Sequence, residues 1–62
     1  MRSITPATEA DVSAITSSLQ FLRKARTALR GAGARTAARA VDRALKSAEG
    51  AQRHARHRLQ RT

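Results

Sequence analysis

Arg35, Arg39, Arg43, Lys46, Arg53 and His57 recur at spacings of three and four residues, provided that Gly50 takes the place between Lys46 and Arg53. On an α-helix, that spacing gathers side chains along one ridge. From residue 35 to residue 57 the ridge would run about 33 Å at 1.5 Å per residue, comparable with one turn of duplex DNA. A row of guanidinium and ammonium groups of that length suits phosphate contact, which is salt-sensitive and carries little sequence information. Arg56, Arg58 and Arg61 add charge at the far end. The residues nominated for nucleic-acid binding are Arg35, Arg39, Arg43, Lys46, Arg53 and Arg56.

The rest of the inventory narrows the kind of nucleic acid. The chain has no asparagine to read adenine, and its one aromatic residue, Phe21, gives almost nothing for splayed bases to stack on. Duplex is favoured over a single strand read base by base, and arginine pairing with guanine edges leaves room for modest specificity. Like charges four residues apart weaken an isolated helix by roughly a few tenths of a kcal/mol each, a repulsion that a bound polyanion would relieve. Asp42 precedes Lys46 by four and Glu49 precedes Arg53 by four, so both acids are expected to form salt bridges within that helix.

Two other readings use the same residues. The ridge is also what a small interaction module or inhibitor would dock on the acidic surface of a partner protein, and it is what a solvated face would look like if it only kept an alanine-rich hairpin soluble. An excess of arginine over lysine with abundant alanine also arises from GC-rich coding without selection for binding. A membrane surface is disfavoured as a partner, because the apolar side of this segment is alanine rather than Leu, Phe or Trp.

Other chemistry is thinly represented. His54 and His57 stand three apart in "RHARH", a spacing that metal sites use, but no third ligand is near and the surrounding arginines repel a cation. Ser17 and Ser18 have no evident base, there is no glycine-rich phosphate loop, and cysteine and tyrosine are absent. No enzyme activity, metal or cofactor is expected. The lack of cysteine fits a reducing cytoplasm, and no apolar run or signal-like segment suggests a membrane or secreted protein, so a soluble cytoplasmic location is expected.

The elements that must hold the ridge can be read from periodicity. "TPATEAD" offers Thr5 as an N-cap with Pro6 at the first helical position, or Thr8 as an N-cap with Asp11 closing a capping box. Val12, Ile15, Leu19, Leu22 and Leu29 then follow a heptad seam in which Arg26 fills the missing place. A second row of Ala14, Phe21 and Ala28, with Ser18 and Ala25 between, widens the arc beyond what one partner helix needs. "LRGAGART" stops this helix: Gly31 is expected to be the left-handed residue after it, with Ala32 and Gly33 completing a tight reversal. The second helix is expected to present a seam of Ala34, Ala37, Val41, Ala44, Ala48, Ala51 and Ala55, flanked by Ala38, Leu45 and Leu59. Gly50 either lies within that helix as a weak point or breaks it, leaving a basic tail.

The expected fold is therefore all-α, a single domain over residues 1–62: helix about 6–30, glycine turn 31–33, helix about 34–60, forming an antiparallel hairpin. Bulky apolar residues are few and alanine occupies 14 of 62 positions, so the hairpin is expected to homodimerise into a four-helix bundle. Charge divides unevenly. Residues 1–22 carry Arg2 against Glu9 and Asp11, a net of −1, while residues 23–62 carry twelve bases against Asp42 and Glu49, a net of +10.

Overall fold

The computed structural model describes residues 8–61, which form two helices, α1 (Glu9–Gly31) and α2 (Arg35–Arg61), packed against each other. No strand occurs among the described residues, and neither helix is long and apolar enough to cross a membrane. The packing is antiparallel. Thr16 meets Gln52, Arg23 meets Glu49 and Arg26 meets Asp42, so partners fall along α2 as they rise along α1.

The entry to α1 uses the second of the two possible caps. Thr8 is extended at φ −109° and ψ 166°; its hydroxyl accepts from the Asp11 amide at 3.1 Å, and the Asp11 carboxylate accepts from the Thr8 amide at 2.9 Å. This reciprocal box satisfies two otherwise orphaned donors. The alternative start at Thr5 and Pro6 lies outside the described residues. Glu9 and Asp11 occupy the first turn, where the helix dipole favours them, and Arg30 occupies the last.

The turn differs from expectation in which glycine bends the chain. Gly31 is still helical, Ala32 is the C-cap at φ −85°, and Gly33 has φ +77°. The Ala34 amide donates to the Leu29 carbonyl at 2.9 Å and the Gly33 amide to the Arg30 carbonyl at 3.1 Å. This is a Schellman closure with Gly33 at C′, and it places Leu29 and Ala34, both half-buried on the seam, at the two ends of its longer hydrogen bond. Stopping two residues earlier at Gly31 would forgo that pairing.

The α1 seam is Val12, Ile15, Leu19, Leu22, Arg26 and Leu29, all buried or half-buried. The α2 seam is rotated from the expected alanine row. It consists of Ala34, Ala38, Val41, Leu45, Ala48, Gln52, Ala55 and Leu59, whereas Ala37, Ala44 and Ala51 are exposed. Leucine decides the rotation: burying Leu45 and Leu59 removes far more apolar surface from water than burying the methyls beside them. The shift brings Gln52 into the seam, where its amide donates to the Thr16 hydroxyl at 2.8 Å; that hydroxyl donates in turn to the Val12 carbonyl at 2.9 Å. Only Leu19, Ala38, Leu45 and Ala55 are fully buried among the described residues, and two of the four are alanine.

Gly50 lies within an unbroken α2. Its side of the helix is covered by the Arg53 guanidinium, 3.8 Å from where a Cβ would stand. The continuity keeps the cations on both sides of Gly50 on one rod.

Candidate nucleic-acid interface

All six nominated residues, Arg35, Arg39, Arg43, Lys46, Arg53 and Arg56, are exposed, as is His57. They form a band rather than a single row. In the seven-residue frame of the seam, Arg39, Lys46 and Arg53 run along its middle, Arg35 and Arg56 lie nearer the seam in the row of Asp42 and Glu49, and Arg43 and His57 lie on the outermost edge. None of the six is ion-paired with a carboxylate among the described residues.

Their freedom has a specific cause that spacing within α2 does not reveal. Asp42 and Glu49 do not pair with Lys46 and Arg53 as expected; both turn toward α1. The Asp42 carboxylate accepts from the Arg26 guanidinium at 2.8 Å and stands 4.0 Å from Arg30, and Glu49 stands 3.6 Å from Arg23. Both acids flank the seam, where a long arginine from the facing helix reaches them directly. The Arg26 hydrogen bond holds the Asp42 carboxyl below the usual carboxylate range, with further help from the nearby charges of Arg26, Arg30 and Lys46. Both acids are thereby turned toward α1, and no cation of the band has a carboxylate within ion-pair distance among the described residues, Asp42 acting on Lys46 only at longer range.

Arg26 is itself the apolar seam's one charged member. Its side chain is 30% exposed, and its Nε is buried without a hydrogen-bond partner. A half-buried pair of this kind sets register more than it adds stability, because desolvation offsets much of the attraction. Periodicity places Arg26 in the seam without its partner and passes over Arg23, Arg30 and Gln52 as interacting residues. Folding the sequence back on itself at Gly33 and looking for acids opposite bases would have found Asp42 against Arg26.

The opposite flank has a different character. Because every ion pair among the described residues lies on one side of the seam, the residues on the other side of each helix share a second flank: Ala14, Ser18, Phe21, Ala25 and Ala28 on α1, and Ala37, Ala40, Ala44, Ser47 and Ala51 on α2, with Asp11 and Arg58 at its far end from the turn. All but the half-buried Ala25 are exposed, and Phe21 is 69% exposed. His54 follows the same side as Ser47 and is exposed; no group of three metal-ligating side chains occurs among the described residues.

The hairpin thus offers two surfaces of opposite chemistry: a cationic band whose natural counterparts are phosphates or carboxylates, and a flat small-residue flank suited to close helix approach. Comparison with known proteins adds nothing to either surface, since no protein family, curated protein or solved structure matches the chain.

Proposed function

We propose that this chain is a small nucleic-acid-binding protein, not an enzyme, that contacts duplex phosphates through the α2 band of Arg35, Arg39, Arg43, Lys46, Arg53 and Arg56 without strong sequence specificity. One observation carries the reading. Six exposed cations share one continuous helix, and the only acids on that helix are held by α1. A merely solubilising surface gains from interspersed charges of both signs, whereas a single-sign field attracts a polyanion.

The same proposal includes a homodimer arranged as a four-helix bundle. Four fully buried residues among those described make a small core for two helices of this length, and the exposed Phe21 amid alanine supplies apolar surface for a second copy. Dimerisation through that flank leaves the band free and doubles the number of phosphates within reach. A cytoplasmic setting goes with this reading, in keeping with a chain that has no cysteine.

The test is a titration of two duplexes of unrelated sequence at increasing salt. Both should bind with similar affinity, and log affinity should fall by about 0.9 per phosphate neutralised for each log unit of salt, approaching a slope of about −5 if all six cations of one band engage. Absence of duplex binding at low salt, together with a tight stoichiometric complex with an acidic protein, would overturn it in favour of a protein-docking module.

A further inference from the structure

We propose that the hairpin tip holds a pocket for a phosphomonoester dianion and that its ligand is the terminal phosphate of a nucleic-acid strand lying along the band. A concavity of about 200 Å³ is lined by Arg30 from the last turn of α1 and by Arg35, Ala38, Arg39 and Asp42 from the start of α2. The turn builds it. The Gly33 and Ala34 amides close onto the Arg30 and Leu29 carbonyls, which fixes the last turn of α1 against the first turn of α2 and brings Arg30 to the same concavity as Arg35. Ala38 is 5% exposed and provides a floor with no bulk above it, so the space between the guanidinium groups stays open.

Charge selects the ligand class. The pocket lining contributes three guanidinium groups and one carboxylate; that carboxylate accepts from Arg26 at 2.8 Å and stands 4.0 Å from Arg30, which leaves Arg35 and Arg39 without an acidic partner among the described residues. A monoester carries a charge of about −1.5 to −2 near neutral pH, with three acceptor oxygens for planar guanidinium forks, whereas a backbone diester carries about −1. The monoester is the better match to the uncompensated charge. Placement agrees. Arg35 stands at the first residue of α2, in a first turn without any acid, and is preceded by Ala34, whose side chain has no oxygen to cap the helix. Cations are disfavoured at that end by the helix dipole, so a sequence shaped for hairpin stability alone would put acids there. A bound dianion would offset the charge of these arginines beside the positive end of the helix dipole.

The source of the phosphate follows from continuity. Arg35 and Arg39 belong to both pocket and band, so a strand tracking the band ends at the tip. This assignment rests on the proposed nucleic-acid reading for its source, but the pocket itself does not. The experiment is a nuclear magnetic resonance titration that follows the arginine side-chain Nε–H signals of the full chain. Methyl phosphate should move the Arg30, Arg35 and Arg39 signals together and saturably, binding at least tenfold more tightly than dimethyl phosphate. Arg35→Gln and Arg39→Gln, each checked for retained helicity, should each weaken it at least fivefold. Duplexes with phosphorylated ends should then bind at least threefold more tightly than the same duplexes with hydroxyl ends. Equal responses to the two small esters, or shifts spread evenly over all arginines, would overturn the pocket. Methyl phosphate binding without any gain from phosphorylated ends would overturn the strand-end ligand. Methyl phosphate binding without any duplex binding would keep the pocket but overturn both the strand-end ligand and the nucleic-acid reading, so the two proposals fail distinguishably.

Discussion

On one flank of the seam, Arg23, Arg26 and Arg30 of α1 meet Glu49 and Asp42 of α2; on the other, Ser18 and Ala25 face Ala37, Ala44 and Ala51 with no ion pair among the described residues. The two flanks border the same two helices, yet they solve different problems. Exposed pairs such as Arg23–Glu49 contribute at most about 1 kcal/mol each, so the charged flank does little to hold the helices together. What it does is specify an antiparallel register and remove the only two acids from a helix that otherwise presents cations. The small-residue flank does the reverse: it specifies little but allows another backbone to come close, at the short end of the usual interaxial range of about 8 to 10 Å. On the proposed reading, recognition uses the band that the charged flank leaves free of ion pairs, and assembly uses the small-residue flank.

The largest effect should come from breaking the assembly flank. Phe21→Glu combined with Ala44→Glu places charge where the proposed second copy packs, while both positions are exposed in the single hairpin. Sedimentation at micromolar concentration should change from dimer to monomer mass; an intact dimer would put the contact elsewhere. Next comes the charged flank. Replacing Arg26 and Asp42 together by leucine completes the apolar seam and removes the orphaned Arg26 Nε. The melting temperature should stay level or rise, whereas Arg26→Leu alone should lower it by taking the 2.8 Å hydrogen bond from Asp42 and leaving only Arg30 at 4.0 Å. A clear loss in the double variant would mean that the pair contributes more than register.

Smaller effects sharpen the contrast between the turn and the rod. Gly33→Ala should cost about 1–2 kcal/mol, because φ +77° is strained for any residue with a Cβ. Gly50→Ala should instead stabilise by about 1 kcal/mol, since the helix is continuous and the new methyl meets only the Arg53 guanidinium, at an ordinary 3.8 Å. Chemical denaturation of the two variants checks both signs. The mildest test is acid. Asp42 is held below its ordinary range by Arg26, and Asp11 by the Thr8 amide first and the Thr8 hydroxyl second. Groups whose folded-state pKa is depressed contribute stability above the ordinary aspartate range near pH 4, and that contribution is lost as pH falls through the lowered value. Melting temperature should therefore decline between about pH 5 and pH 2, and Asp42→Asn should flatten the decline.

How much of this was legible in the sequence depended on contrast. The α1 seam stood out because Val12, Ile15, Leu19, Leu22 and Leu29 are bulky among small and polar neighbours, and the Thr8–Asp11 box has a recognisable spacing. Along α2 alanine occupies both the seam and its small-residue flank, so periodicity could not choose between the row through Ala37 and Ala44 and the row through Ala38 and Leu45. The two leucines decide it only once a partner helix is in place. Gly31 and Gly33 are equally able to end a helix, and what separates them is the pairing of Leu29 with Ala34 across the closure. Within the candidate site, exposure of the cations was readable, because long charged side chains avoid a seam made of alanine. Their lack of partners was not. Asp42 and Glu49 have suitable bases four residues away on their own helix, and only the facing arginines of α1 show where those carboxylates go.

The central claim is that the α2 band, and not net charge alone, binds duplex phosphate. The most direct measurement compares duplex affinity in two variants that change net charge equally. Arg39→Glu with Arg43→Glu reverses the band, whereas Ala10→Glu, Ser17→Glu and Lys24→Glu make the same change on the exposed outer ridge of α1. Neither set opens a cavity, so both should keep the hairpin folded. The account predicts that the band variant loses duplex binding at low salt while the outer-ridge variant retains it within about tenfold, with an unchanged salt slope. Equal losses in the two variants would contradict it, reducing the interaction to attraction between a polyanion and any sufficiently basic chain.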